Sequence, residues 1–221
     1  MIIVHHLEAS RSQRILWLLE ELGLDYEVKL YKRNPKTMLA PASLKAVHPL
    51  GKSPVITDGD TIVAETGAII EYIIDKYGEG RLIPPAGSDD RRRYTYWLHY
   101  AEGSAMPFLV MKLIFTEMPN QAPFIAKPLL RMISGKVGEA YLDPNIATHI
   151  RFWEDSLANS TWFAGPELTG ADIMMSFPVE AANARGALRG NFPRINAFLA
   201  AAHARPAYQR ALAKGGPYPY A

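Results

Sequence analysis

Along residues 1–77 the chain switches repeatedly between the two-residue rhythm of strands and the three-to-four-residue rhythm of helices; beyond that it keeps to the helical one. Ile2 to Leu7 is a β-branched run that predicts a buried strand. From Ser12 to Gly23, the residues Ile15, Leu16, Leu18, Leu19 and Leu22 recur at helical spacing, and Gly23 is placed to stop the helix. Tyr26 to Tyr31 predicts a second strand, followed by an irregular stretch, 32–47, containing Pro35 and Pro41. Val55 to Thr57 and Thr61 to Val63 flank Asp58-Gly59-Asp60, a hairpin signal. Glu65 to Tyr77 predicts a helix whose inward face is Ile69, Ile70, Ile73 and Ile74. The order strand, helix, strand, hairpin, helix describes an α+β layer of ordinary domain size.

The segment 77–88 holds glycines and the Pro84-Pro85 pair and reads as a linker, dividing the chain into domains 1–82 and 88–221. No strand-like alternation follows it. Arg91 to Thr116 is one long helical pattern with a kink expected near Pro107, and Ile146 to Leu157 and Ile173 to Ala184 predict further helices.

Composition narrows the chemistry. The 221 residues, with 48% hydrophobic and 21% charged, describe a globular chain with a real core. A net charge of +2 is too small to argue for a nucleic-acid partner. The cluster Asp89-Asp90-Arg91-Arg92-Arg93 reads as a helix start, acid before base. There are no cysteines, so disulfides, thiolate metal sites and a protein cysteine nucleophile are excluded. No apolar run reaches membrane-span length, and Met1 to His6 lacks the features of a signal peptide, so no membrane partner is expected and the default location is cytoplasmic. His5 and His6 are neighbours in a strand and face opposite ways; no spacing of His, Asp and Glu suggests a metal.

Two short segments carry the most chemical information. In His48-Pro49-Leu50-Gly51-Lys52-Ser53-Pro54-Val55, Pro54 stands at a strand entrance. It reads either as a loop proline or as a cis-proline that turns the Ser53 backbone toward a peptide ligand, in the manner of an added strand. Glu65-Thr66 opens a helix, either as a simple cap or as a site where helix amides and a hydroxyl take a carboxylate while Glu65 takes an ammonium. Ser10 lies between the first strand and first helix. Ser10 and Gln13 match a capping box, but the Ser10 hydroxyl can equally donate to a substrate thiolate, with Ser12 as a nearby rival. Thr169 and Asp172, flanked by Leu168 and Ile173, form a second capping box with a structural role. Tyr100, Met106, Phe108 and Met111 line either an adaptable apolar pocket or a plain helix core.

In order and spacing these segments resemble the glutathione S-transferase family across essentially the whole chain, closest in flavour to its bacterial, theta-like, serine-type branch. The resemblance implies a thioredoxin-like N-terminal domain, an all-helical C-terminal domain and a homodimer. It implies glutathione as co-substrate and a small apolar electrophile as partner. By position, Pro54 is the cis-proline, Ser53 pairs with the glutathione backbone and Glu65 and Thr66 hold the γ-glutamyl end. Lys52 approaches the glycyl carboxylate or the backbone near it, and Ser10, four residues before Arg14, is the catalytic serine. The implied reaction is conjugation. Reduction of hydroperoxides by the same thiolate, or a non-catalytic glutathione-binding scaffold, are the alternatives.

Overall fold

The computed structural model describes every residue of the chain except 36 and 38, which fall in the irregular stretch 32–47. The β-branched run forms β1 (Ile2–Leu7), at the centre of the sheet beside β2 (Tyr26–Tyr31). These two strands are parallel, with Ile2 opposite Tyr26 and Leu7 opposite Tyr31. A parallel pair needs a crossover, and α1 (Gln13–Leu22) supplies it. Gly23 ends α1 at φ +66, a left-handed position suited to glycine, where its amide bonds to the Glu20 carbonyl. After α2 (Ala42–Lys45), β3 (Val55–Asp58) and β4 (Thr61–Ala64) form the expected antiparallel hairpin. β3 also pairs antiparallel with β1, so the mixed sheet has the order β2-β1-β3-β4.

α3 (Thr66–Tyr77) returns across the sheet with Ile69, Ile70, Ile73 and Ile74 buried, as its periodicity requires. This α+β part has the thioredoxin-like arrangement, and the remainder of the described chain is helical. Its helices are α4 (Asp89–Tyr100), α5 (Met106–Gln121), α6 (Lys127–Val137), α7 (Asp143–Ser156), α8 (Gly170–Ala184), α9 (Pro193–His203) and α10 (Pro206–Gly215).

The break expected near Pro107 takes the form of a π-helical turn, Ala101–Ala105, between α4 and α5. Pro107 has no amide to offer the carbonyl of Gly103 four residues earlier, so the regular ladder cannot run through this point.

One buried cluster runs from Ile2 and Val4 through α1 and α3 into α4, α8 and α10. α8 packs tightly on α3 at Gly170, where a Cβ would stand 2.7 Å from Ile70 and from Ile74. α1 is buried almost all round, its polar residues included, because α8 and α10 cover the side away from the sheet. Glu20 there accepts from Tyr26 Oη at 2.9 Å, Arg210 Nε at 2.7 Å and Lys214 Nζ at 2.7 Å. Among the described residues no helix is long and apolar enough to cross a membrane.

Candidate functional site

Four separate stretches meet beside the end of β1. The β1–β3 ladder runs from Ile2–Asp58 to His5–Val55, so the main chain of Ser53 lies beyond its last pair. The Ser53–Pro54 peptide is cis. Ser53 is held by its side chain: Oγ donates to the His5 carbonyl at 3.0 Å and accepts the Leu7 amide at 3.3 Å. From the opposite side comes the start of α3. Glu65 sits there at φ +72, ψ 128, a conformation costly for a residue with a Cβ, and its side chain makes no capping bond. A carboxylate beside open helix amides, on strained backbone, is unlike an ordinary cap.

Lys52, Ser53, Pro54, Glu65 and Thr66 all line one cavity of about 260 Å³, together with Arg11, His48, Leu50, Ala64 and Glu102. The fold therefore gathers every binding residue expected from the sequence. Two further lining residues, Arg11 and Glu102, were not expected from the sequence. Arg11 lies in the very turn singled out for Ser10, so its place was visible and its direction was not. Glu102 comes from the π-helical turn, and nothing local in the sequence marks it.

Behind the cavity, Arg14 is buried and fully engaged. Its guanidinium donates to the Met174 carbonyl at 2.8 Å, to Thr66 Oγ1 at 3.0 Å and to Glu102 Oε1 at 2.5 Å. Arg11 Nη1 lies 3.3 Å from the other oxygen of Glu102. The cavity thus carries both signs of charge: Arg11 and Lys52 against Glu65 and Glu102.

Neither Ser10 nor Ser12 is among the residues lining the cavity. The expected Ser10–Gln13 capping box does not form. Ser10 Oγ instead accepts the Ser12 amide at 3.3 Å and lies 2.7 Å from Ser12 Oγ, while the buried Gln13 side chain has no hydrogen-bond partner. The reason is that Ser12 already has helical backbone angles and α10 presses on Gln13, with a Cβ on Gly215 only 2.4 Å from its Oε1. Ser12 Oγ reaches His6 Nδ1 at 2.8 Å. His5 turns the other way, to Tyr31 Oη at 2.9 Å, as strand geometry demands.

Of the four residues offered for an apolar pocket, Tyr100 and Met106 are buried in the helical core. Tyr100 Oη accepts from Trp153 Nε1 at 3.0 Å and also bonds to His149 Nδ1. Phe108 is half-buried against the rings of Tyr141 and His149, and Met111 is half-buried on α5. A larger cavity, about 420 Å³, opens between α4 and the loop after α7, walled by Tyr96, Trp97, Phe152, Trp162 and Phe163. It holds none of the site residues expected from the sequence. No group of three or more His, Asp and Glu suited to a metal occurs among the described residues.

Comparison with known proteins decides the family. A family model described as the glutathione S-transferase N-terminal domain matches residues 10–76. Glutathione S-transferase 3 of Schizosaccharomyces pombe is 32% identical over 216 residues, covering 97% of this chain and 88% of that protein. The chain belongs to the glutathione S-transferase family. A crystal structure of a glutathione S-transferase from Actinobacillus pleuropneumoniae superposes with a TM-score of 0.78 at 36% identity, over 97% of this chain and 93% of that one. A sphingomonad glutathione S-transferase complexed with glutathione shares the fold, at 22% identity and a TM-score of 0.71, over 97% of this chain and 98% of that one.

Proposed function

We propose that this glutathione S-transferase family member conjugates glutathione to small apolar electrophiles. The observation that carries the proposal is the convergence of Lys52, Ser53, Pro54, Glu65 and Thr66 on one cavity. Its parts match the ends of the tripeptide. The main chain of Ser53, outside the ladder, is the partner for the cysteinyl backbone. The first turn of α3 takes the γ-glutamyl carboxylate, and Glu65 takes the ammonium. Lys52 faces the glycyl carboxylate. The glutathione bound by the sphingomonad protein of the same fold supports the choice of ligand.

In the reaction the thiol proton leaves to solvent. The thiolate then forms a carbon–sulfur bond to the electrophile, whose leaving group departs with the bonding electron pair. The protein positions the thiolate and favours it over the thiol. That work falls to the first turn of α1, where Ser10 is the residue pointed to by the resemblance and Ser12 its rival. The electrophile sits against the helical part, residues 88–221, and glutathione in residues 1–82. The protein acts in the cytoplasm as a homodimer. Exposed apolar side chains on α5, α6 and the turn between them (Ile114, Phe124, Ile125, Leu129, Met132 and Ile133) are the kind of surface a second copy covers.

Isothermal titration with glutathione, followed by assay with an aryl halide, tests the reading. Binding with formation of a thioether is the expected result. Accumulation of oxidised glutathione in the presence of a hydroperoxide, without thioether, would replace conjugation by reduction. Binding without turnover on either would make the protein a scaffold. A monomeric mass by light scattering would remove the dimer.

A further inference from the structure

The two serines of the first turn of α1 are engaged with one another and with buried His6. Ser10 Oγ accepts the Ser12 amide at 3.3 Å and lies 2.7 Å from Ser12 Oγ, which lies 2.8 Å from His6 Nδ1. Ser10 is 6% exposed and Ser12 0%, and neither lines the cavity.

The residue between them faces the other way. Arg11 lines the cavity and is 34% exposed at its side chain. Its guanidinium is held over the Phe177 ring, 5.7 Å from the centroid, and by Glu102 at 3.3 Å. A guanidinium carries five donors, and this contact with Glu102 involves one nitrogen. The charged groups acting on it are Glu102, Glu65, Arg14 and Arg185, with His48 and Lys52 elsewhere on the cavity wall. Arg11 shares this cavity with Ser53, the residue whose main chain pairs with the cysteinyl backbone in the glutathione reading. Among Ser10, Arg11 and Ser12, the cavity-facing donor is Arg11.

We infer that Arg11, rather than Ser10, is the catalytic residue that stabilises the glutathione thiolate. The inference rests on the glutathione reading above. An opposite charge close to a titrating group commonly moves its pKa by one or more units, so the guanidinium lowers the pKa of the bound thiol while the buried serine pair holds the turn in shape.

The test follows the ultraviolet absorbance of bound thiolate, and kcat/KM for an aryl halide, against pH. The variants are Arg11→Gln, Arg11→Lys and Ser10→Ala. Arg11→Gln is expected to shift both profiles to higher pH by about one unit, which is about tenfold in thiolate at a pH below the transition, with little change in glutathione Kd. Arg11→Lys restores most of the shift because it keeps the charge. Ser10→Ala is expected to shift the profiles by less than Arg11→Gln does. Two outcomes overturn the inference: an Arg11→Gln profile that stays in place while Kd rises, which would make Arg11 a carboxylate holder, or a larger shift in Ser10→Ala than in Arg11→Gln. Absence of any glutathione binding by the wild-type protein would instead overturn the glutathione reading, and the inference with it.

Discussion

The starts of α3 and α8 look alike in sequence and are built differently. Each has an acid and a threonine at a helix N-terminus: Glu65 and Thr66 in one, Thr169 and Asp172 in the other. At α8 the carboxylate is consumed by its own chain. Asp172 is 0% exposed and accepts the Phe163 amide at 2.6 Å, the Thr169 amide at 2.9 Å and the Thr169 hydroxyl at 2.7 Å. At α3 the acid stands open at the cavity, on a residue with positive φ, and makes no capping bond. A helix start whose polar groups satisfy one another is a joint of the fold. At the other start, Thr66 is tied to Arg14 and only the Glu65 carboxylate is left at the cavity wall, where the proposed function puts glutathione.

Breaking each start should therefore give different losses. The largest is expected from Asp172→Ala, which leaves two amides and a hydroxyl buried without an acceptor. Unfolding free energy by urea denaturation should fall by about 3 kcal/mol, while the protein that remains folded binds glutathione as before. Loss of glutathione affinity in that variant would erase the distinction between the two starts. Gly170→Ala acts on the same joint by overpacking, since its Cβ would meet Ile70 and Ile74. A loss of about 2 kcal/mol is expected, and an unchanged thermal midpoint would show that α3 and α8 have room to separate. At the open start, Glu65→Gln should weaken glutathione binding about tenfold, or about 1.4 kcal/mol, with no change in melting temperature. A drop in stability instead would make Glu65 a structural cap after all.

The smallest effects are in the pH dependence of stability. Burial pushes the Asp172 carboxyl up to about 6 from 3.8, against the pull of its hydrogen bonds from Thr169 and Phe163. With the folded pKa above the unfolded one, its stabilising contribution is complete below pH 3.8 and is lost as pH rises through about 6. Asp58 has the reverse sign. Hydrogen bonds from Lys76, Tyr77 and Tyr72 hold its carboxyl at about 2 from 3.8. Its stabilisation is present above pH 3.8 and lost as pH falls through about 2. Urea midpoints measured across pH should lose the slope between 4 and 6 in Asp172→Asn, and the slope below 4 in Asp58→Asn. A slope that survives either substitution belongs to another group.

Much of this was legible in the chain. The strand and helix rhythms of residues 2–77 name the sheet and its two helices, because each element buries a face that its own spacing defines. The residues that line the smaller cavity were legible too, since Ser53-Pro54 and Glu65-Thr66 are local signals of a strand entrance and a helix start. The capping residue Asp172 was read as structural for the same local reason. Side-chain direction was not legible. Ser10 and Gln13 have capping-box spacing, yet Ser10 bonds to Ser12 and Gln13 is enclosed beside Gly215, a residue of a helix that lies two hundred positions away. Tyr100 and Met106 have the composition of a pocket and the position of a core.

By itself, then, the sequence determined the strands and the two long helices of residues 2–77, their apolar faces, and the helical character of the rest of the chain. These are consequences of neighbours along the chain. Only the tertiary structure decided that α1 would be covered on its polar side by α10, that Glu102 would join Arg11 and Arg14, and that the turn at residues 10–12 would present a guanidinium to the cavity while burying its two serines. Those outcomes depend on groups far apart in sequence competing for the same protons and the same space, and no local pattern records the result.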